Sequence, residues 1–211
     1  MSTRDAYLAA AESAADLIDS PAVAAAWGRP SALTGFTVGG LAEHLAHQVL
    51  AVPATLRKPA PTGEVVTLLG HYGRVTWIGA DLDADVNVAI RRGGEDAAGE
   101  GPAALAGRIH NAVRELCEVL PGEPADRVVE PPAGPWALLL DDFLVTRMME
   151  IAVHSDDLAA SVGLATPALP DAVLDPVFAL LTRLSIRRHG TVALLRALSR
   201  AERAPASVTA F

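Results

Sequence analysis

One cysteine, Cys117, stands among the 211 residues. The chain can therefore form no internal disulfide and offers no cysteine-based zinc site or thioredoxin-type pair. Positive charge is also in deficit: 17 Lys and Arg face 25 Asp and Glu, a formal net charge of −8. Such a surface repels phosphate, which sets nucleic acid and anionic membranes aside as partners. No uncharged apolar run approaches the roughly 18 residues that span a bilayer. The first twenty residues, Met1 to Ser20, carry Arg4 but also Asp5, Glu12, Asp16 and Asp19, the wrong charge pattern for a signal or transit peptide. Together these absences predict a cytoplasmic protein. The chain also lacks a G-x-S-x-G elbow, a G-x-x-x-x-G-K loop and a G-x-G-x-x-G fingerprint, so serine hydrolase, P-loop and dinucleotide-binding readings have no local support.

What the chain does have is apolar content and helix signals. With 51% hydrophobic residues it is globular, and a chain of this length buries roughly 70% of its unfolded surface without staples. The stretch from about Arg4 to Asp19 is rich in Ala and Leu, and Ser20-Pro21 opens a short second helix with Ser20 as its cap. Thr37 caps a helix to about Arg57, stopped by Pro59 and Pro61. Gly101-Pro102 opens another to about Leu120. Pro131 to Pro135 precede the strongest, about Ala137 to Val162, with Gly163 as its left-handed stop. Asp171 to Arg200 reads as two helices broken at His189-Gly190. Gly93 to Gly101 reads as a loop, and Glu64 to Leu69 and Arg127 to Glu130 as short strands. Four long helices with a long, irregular connection predict an all-α four-helix bundle with a crossover, a scaffold that assembles metal sites from facing helices.

In the helix from Ala137, residues Leu140, Leu144, Met148, Ile151, Leu158 and Val162 fall on one stripe at about 100° per residue. Glu150 and His154 lie one turn apart on the adjoining flank, with Cβ atoms roughly 6 Å apart, close enough to grip one ion. Arg147 and Asp157 share that flank, and Asp157 is placed to hold the free ring nitrogen of a liganding histidine or to orient substrate. In the Thr37 helix the buried stripe is Val38, Leu41, Leu45, Val49 and Val52. His47 points away from it into solvent, whereas His44 sits at its edge beside Gln48, where it could reach across the bundle. Two His and one Glu are an open three-ligand set of the kind catalytic zinc uses. The same spacing is equally met by a metal-free surface network of Arg147, Glu150 and His154, and His44 by ordinary packing. His71 and His110 are expected at the surface, and His189 at a helix end where a cationic ring meets the dipole. Cys117 is expected to pack as a small hydrophobe beside Val113, Leu116 and Leu120. Trp27, Trp77 and Trp136 read as core or interface residues, or as the lining of a pocket.

The stretch Phe36-Thr37-Val38-Gly39-Gly40-Leu41-Ala42-Glu43-His44-Leu45-Ala46 resembles the W-T-V-x-D-L-x-x-H-L-A signature of the DinB-like family that contains the mycothiol-dependent maleylpyruvate isomerase N-terminal domain. Arg147-Met148-Met149-Glu150-Ile151-Ala152-Val153-His154-Ser155-Asp156-Asp157-Leu158 likewise resembles that family's R-x-x-E-x-x-V-H-x-x-D-L segment. The resemblance implies a DinB-like bundle over residues 1–165 and a helical C-terminal extension, 166–211, packed on it. It implies a divalent metal, most often zinc, on His44, Glu150 and His154, with Asp157 in a supporting catalytic role. It implies, further, a low-molecular-weight thiol such as mycothiol as cosubstrate, for S-transfer or isomerisation of a small electrophile. A coordinated thiol is deprotonated outright, and three protein ligands leave it a position. A thiol-independent metal hydrolase and a non-catalytic binding or stress-response bundle are the alternatives.

Gly40 stands where the family usually carries an acidic residue, and Gly39-Gly40 is expected to weaken the first turn of its helix by about 1 kcal/mol per glycine. Arg187, Arg188, Arg196, Arg200 and Arg203 are expected either to offer a guanidinium to an anionic group or to form a solvated face. A homodimer is compatible with the acidic charge and short helices.

Overall fold

A computed structural model describes every residue, Met1–Phe211. The architecture is all-α, with nine helices and one two-stranded antiparallel ribbon. Helix α1 (Thr3–Ile18) begins in a reciprocal capping box, in which the Ser2 side chain accepts from the Asp5 backbone N–H and the Asp5 carboxylate accepts from that of Ser2. Helix α2 (Pro21–Ala26) is capped by Ser20 and α3 (Val38–Leu56) by Thr37, as their sequences predict. Helix α6 (Pro102–Val119) follows Gly101, and α7 (Leu140–Val162) ends at Gly163, whose φ of 72° is the left-handed stop. Helices α1, α3, α6 and α7 form the ring of the bundle: α1 and α3 each pack against both α6 and α7. Their shared interior holds Tyr7, Leu41, Leu45, Leu105, Ile109 and Phe143, all fully buried. Helix α8 (Asp171–His189) packs on α7 and α1, and α9 (Thr191–Ser199) on α8. No helix is long and apolar enough to cross a membrane.

The long connection between α3 and α6 is more ordered than its sequence suggests. It carries a short helix, α4 (Leu68–Tyr72), capped by the Thr67 hydroxyl, and a full helix, α5 (Asp85–Ala98). Residues Gly93 to Ala98 are therefore helical, correcting the loop expected from Gly93 to Gly101. The reason is tertiary, since glycine destabilises an isolated helix but here permits a backbone contact. A Cβ on Gly94 would stand 2.7 Å from the Gly40 carbonyl oxygen, so α5 lies against the first turn of α3 only because both positions lack side chains. Of the two expected strands, Val128–Val129 (β1) pairs with Leu138–Leu139 (β2). The other reduces to a single bridge between Val65 and Ala137, and its end is taken by α4. The β2 pairing also moves the start of α7 from Ala137 to Leu140.

The glycine pair in α3 is compensated rather than merely weak. Glu95 of α5 accepts hydrogen bonds from the Thr37 backbone N–H at 2.7 Å and the Thr37 hydroxyl at 2.9 Å, while Thr37 Oγ1 accepts from the Gly40 N–H at 3.0 Å. Glu95 thus does from another helix what an acidic residue at position 40 does in a local capping box. Gly40 leaves the space its carboxylate fills, and Gly39 leaves space for the Trp27 ring, which a Cβ there would meet at 2.7 Å. Glu95→Ala is expected to cost about 1 kcal/mol through loss of this charged cap, read as a lower urea midpoint with an unchanged denaturant slope.

One side chain moves against expectation without consequence for the core. Cys117 is exposed, with only the Glu12 carboxylate near its sulfur at 4.0 Å, because the apolar face of α6 is completed by Val113, Leu116 and Leu120 without it.

Candidate metal centre

Across the bundle interior α3 and α7 meet in two rungs. In one, the rings of His44 and His154 stand edge to face with centroids 4.6 Å apart. In the other, Arg147 Nη1 donates to Gln48 Oε1 at 2.5 Å. Numbers rise along α3 as they fall along α7, so the helices are antiparallel and residues one turn apart on each are brought face to face. Gln48 is itself fixed, its amide donating to the His44 carbonyl oxygen at 2.9 Å and its own carbonyl accepting from the Tyr7 hydroxyl at 3.1 Å.

The upper rung includes Glu150. Single donor atoms of His44, Glu150 and His154 all lie within 4.8 Å of one another. His154 Nε2 is 3.2 Å from Glu150 Oε2, and its Nδ1 is 3.0 Å from Asp157 Oδ2. Two ligands at about 2.0–2.1 Å from a tetrahedral zinc stand roughly 3.3 Å apart, so the His154–Glu150 edge already has the spacing of a coordination edge. With the N/O character of the three donors and the carboxylate behind His154, the residues fit a divalent ion such as zinc. His44 closes the triangle from the opposite helix. The structure thus brings together all four residues singled out on the two helices, His44, Glu150, His154 and Asp157, and leaves His47 exposed as its angular position predicts.

The electrostatics show what occupies this space in the metal-free chain. Burial pulls the His154 ring down, but hydrogen bonds to Asp157 and Glu150 outweigh it and hold the ring up at about 9. Burial pushes Glu150 up, but the His154 contact and the charges of His154, Arg147 and His44 bring it down to about 2. His44 is held down at about 4, first by burial and then by the His154 charge. At neutral pH the cationic His154 ring therefore bridges two carboxylates, donating Nε2–H to Glu150 and Nδ1–H to Asp157, while His44 keeps a free lone pair. Arg147 forms no ion pair; beyond Gln48 it donates to the Thr146 hydroxyl at 3.0 Å and lies over the Phe143 ring at 5.4 Å.

A cavity of about 370 Å³ reaches His44 from the side of α5 and α6. Its walls include His47 and the buried Glu43, which is ion-paired with Arg108, and Gly93 and the close-packed Gly94 of α5. The helix missing from the sequence reading therefore forms a wall of the space beside the centre.

Among the remaining histidines only His71 departs from its sequence expectation. His71 is 2% exposed rather than at the surface, and its Nδ1 accepts from Trp136 Nε1–H at 3.0 Å. Thr67, a cap four residues earlier, marks the start of α4 but not the burial of His71. His110 is partly exposed, 3.3 Å from Asp19, and His189 ends α8 before Gly190, with its Nε2 2.9 Å from the Thr209 carbonyl oxygen. Trp27 donates to the Ala98 carbonyl oxygen at 2.9 Å and so ties the end of α5 to α2. Trp77 stacks edge-on with Phe211.

The sequence model of one protein family, described as the mycothiol maleylpyruvate isomerase N-terminal domain, matches residues 7–159. This span contains His44, Glu150, His154 and Asp157. Comparison with curated proteins and with solved structures gives no match.

Proposed function

The chain belongs to the mycothiol maleylpyruvate isomerase N-terminal domain family, and from that premise we propose that it is a metal-dependent enzyme that uses a low-molecular-weight thiol of the mycothiol kind. Its reaction is S-transfer to, or isomerisation of, a small electrophile. The observation that carries this reading is the inward-facing His44, Glu150 and His154 set, with donor atoms within 4.8 Å of one another. A divalent ion, zinc for preference, supplies the chemistry when bound by lowering the pKa of a thiol that joins it.

The chain's own residues have separable tasks. His44, Glu150 and His154 hold the ion from two helices, which leaves a fourth position open. Asp157 accepts from His154 Nδ1–H, so that Nε2 is the nitrogen offered to the ion and the ring cannot rotate. The Gln48–Arg147 rung below locks the register of α3 against α7 and so keeps His44 opposite His154. The thiol sulfur comes from the cosubstrate, in keeping with Cys117 being exposed on α6, with only the Glu12 carboxylate near its sulfur.

Elemental analysis of the untagged protein tests the first step: one zinc per chain is expected, and none after incubation with zinc overturns the reading. For the second step, the cobalt-substituted protein is expected to develop a sulfur-to-cobalt charge-transfer band with mycothiol. Turnover of electrophiles that is indifferent to thiol would instead favour a metal hydrolase. Asp157→Asn is expected to weaken zinc affinity about 10–100-fold while leaving the fold intact, measured by competition with a chromogenic chelator.

A further inference from the structure

A second cavity, of about 340 Å³, lies between α4 and α8, away from the space that reaches His44. Its lining contains two arginines, Arg187 and Arg188, and no acidic residue, in a chain whose formal net charge is −8. Neither guanidinium has an ion-pair or hydrogen-bond partner among the protein's side chains or carbonyls. Arginines in the last turn of a helix are ordinary complements of its dipole, but Arg187, though exposed, lies along the cavity wall. Its Nη1 lies 3.1 Å from where a Cβ of Gly73 would be, so it folds into the cavity over the one position whose missing side chain makes room for it. Tyr72 forms another wall, 4% exposed, and its buried hydroxyl meets no protein acceptor. A buried donor without a partner is costly. Burial and the Glu150 charge push its phenol up, and the hydroxyl is sealed within the wall rather than open to the cavity. Tyr72 is braced from behind by His71, ring to ring at 5.0 Å, which Trp136 holds in turn.

We propose that this cavity is a binding site for a small carboxylate anion, with Arg187 and Arg188 supplying charge and paired N–H donors. A planar carboxylate matches the guanidinium fork, accepts from several donors at once and brings the negative charge that the cavity lacks. The apolar remainder of the wall, Val75, Ile78 and Leu184, accommodates a short hydrocarbon portion and excludes a strongly hydrated body.

The test is titration of the protein with acetate and, separately, inorganic phosphate, at constant ionic strength. The readout is the backbone amide resonances of Gly73 and Gly79, both in the cavity wall. Saturable shifts with acetate are expected. Arg187→Gln combined with Arg188→Gln, both exposed side chains, is expected to raise the acetate dissociation constant at least about tenfold. Absence of saturation with acetate, saturation by phosphate alone, or unchanged acetate affinity in the arginine double variant overturns the proposal. Zinc content, measured on the same variants, is expected to stay at the parent level, so a failure here is distinct from a failure of the metal centre.

Discussion

His154→Ala is expected to lose zinc that the parent chain holds at one ion per molecule, with affinity reduced by a factor of about 100 to 1,000. The magnitude follows from the roughly 10–16 kcal/mol of structural zinc sites spread over four ligands, about 3 kcal/mol for each. His154 is also the ligand that Asp157 orients, so its removal idles that carboxylate as well. The pH dependence has a defined sign. The metal-free ring titrates at about 9 because it bridges Glu150 and Asp157, so an incoming ion must displace its proton. Zinc affinity should therefore rise with pH up to about 9 and fall below it by about tenfold per pH unit, and zinc binding at neutral pH should release a proton, visible by calorimetry in buffers of different ionisation enthalpy. The same ring contributes stability to the metal-free fold that is fully present below its unfolded value near 6.5 and lost as pH rises through about 9. His154→Ala should lack that dependence. If the variant binds zinc as the parent does, the centre is not where these residues place it.

Gly94→Val is expected to destabilise the protein by about 2–3 kcal/mol. Its Cβ would stand 2.7 Å from the Gly40 carbonyl oxygen, a backbone atom inside α3 that cannot swing aside as a side-chain end would. Overpacking of this kind costs about 1–3 kcal/mol, and a displaced α5 also withdraws Glu95 from Thr37. The gain in helix propensity on replacing glycine is at most about 1 kcal/mol and does not compensate. Gly93→Val is the matched control: nothing lies within 4 Å of a Cβ there, so the same substitution one residue away should leave stability unchanged or slightly raised. The urea midpoint measures both, and Trp27 fluorescence reports the local event, because its ring is tied to Ala98 at the end of α5. Equal midpoints for the two variants would show that α5 is not held by the Gly40–Gly94 contact.

The candidate centre was legible along the chain because helical periodicity is a local property. Glu150 and His154 are four residues apart, so the backbone alone puts them on one side of α7, and Asp157 follows one turn later. The edge position of His44 against the Val38, Leu41, Leu45 stripe, and the exposure of His47, follow from the same arithmetic. The long helices were readable for the same reason: Ser20, Thr37, Pro102 and Gly163 act on the turn next to them. What was not readable depends on partners distant in sequence. His71 carries no local mark of burial, and it is inside because Trp136, 65 residues away, donates to it. Cys117 looks like part of an apolar face, and the placement of α1 beside α6 leaves it outside.

The sequence by itself determined an acidic, disulfide-free, helical chain with a two-helix motif whose His and Glu spacing suits a divalent ion. Only the tertiary structure decided that α3 and α7 run antiparallel in a register that sets His44 against His154. It also decided that Glu95 caps α3 from outside, and that Arg187, Arg188 and Tyr72 share one cavity. The physical reason is that side-chain periodicity and capping are set within one or two turns, whereas helix register and shared cavities are set by how whole faces fill space against each other.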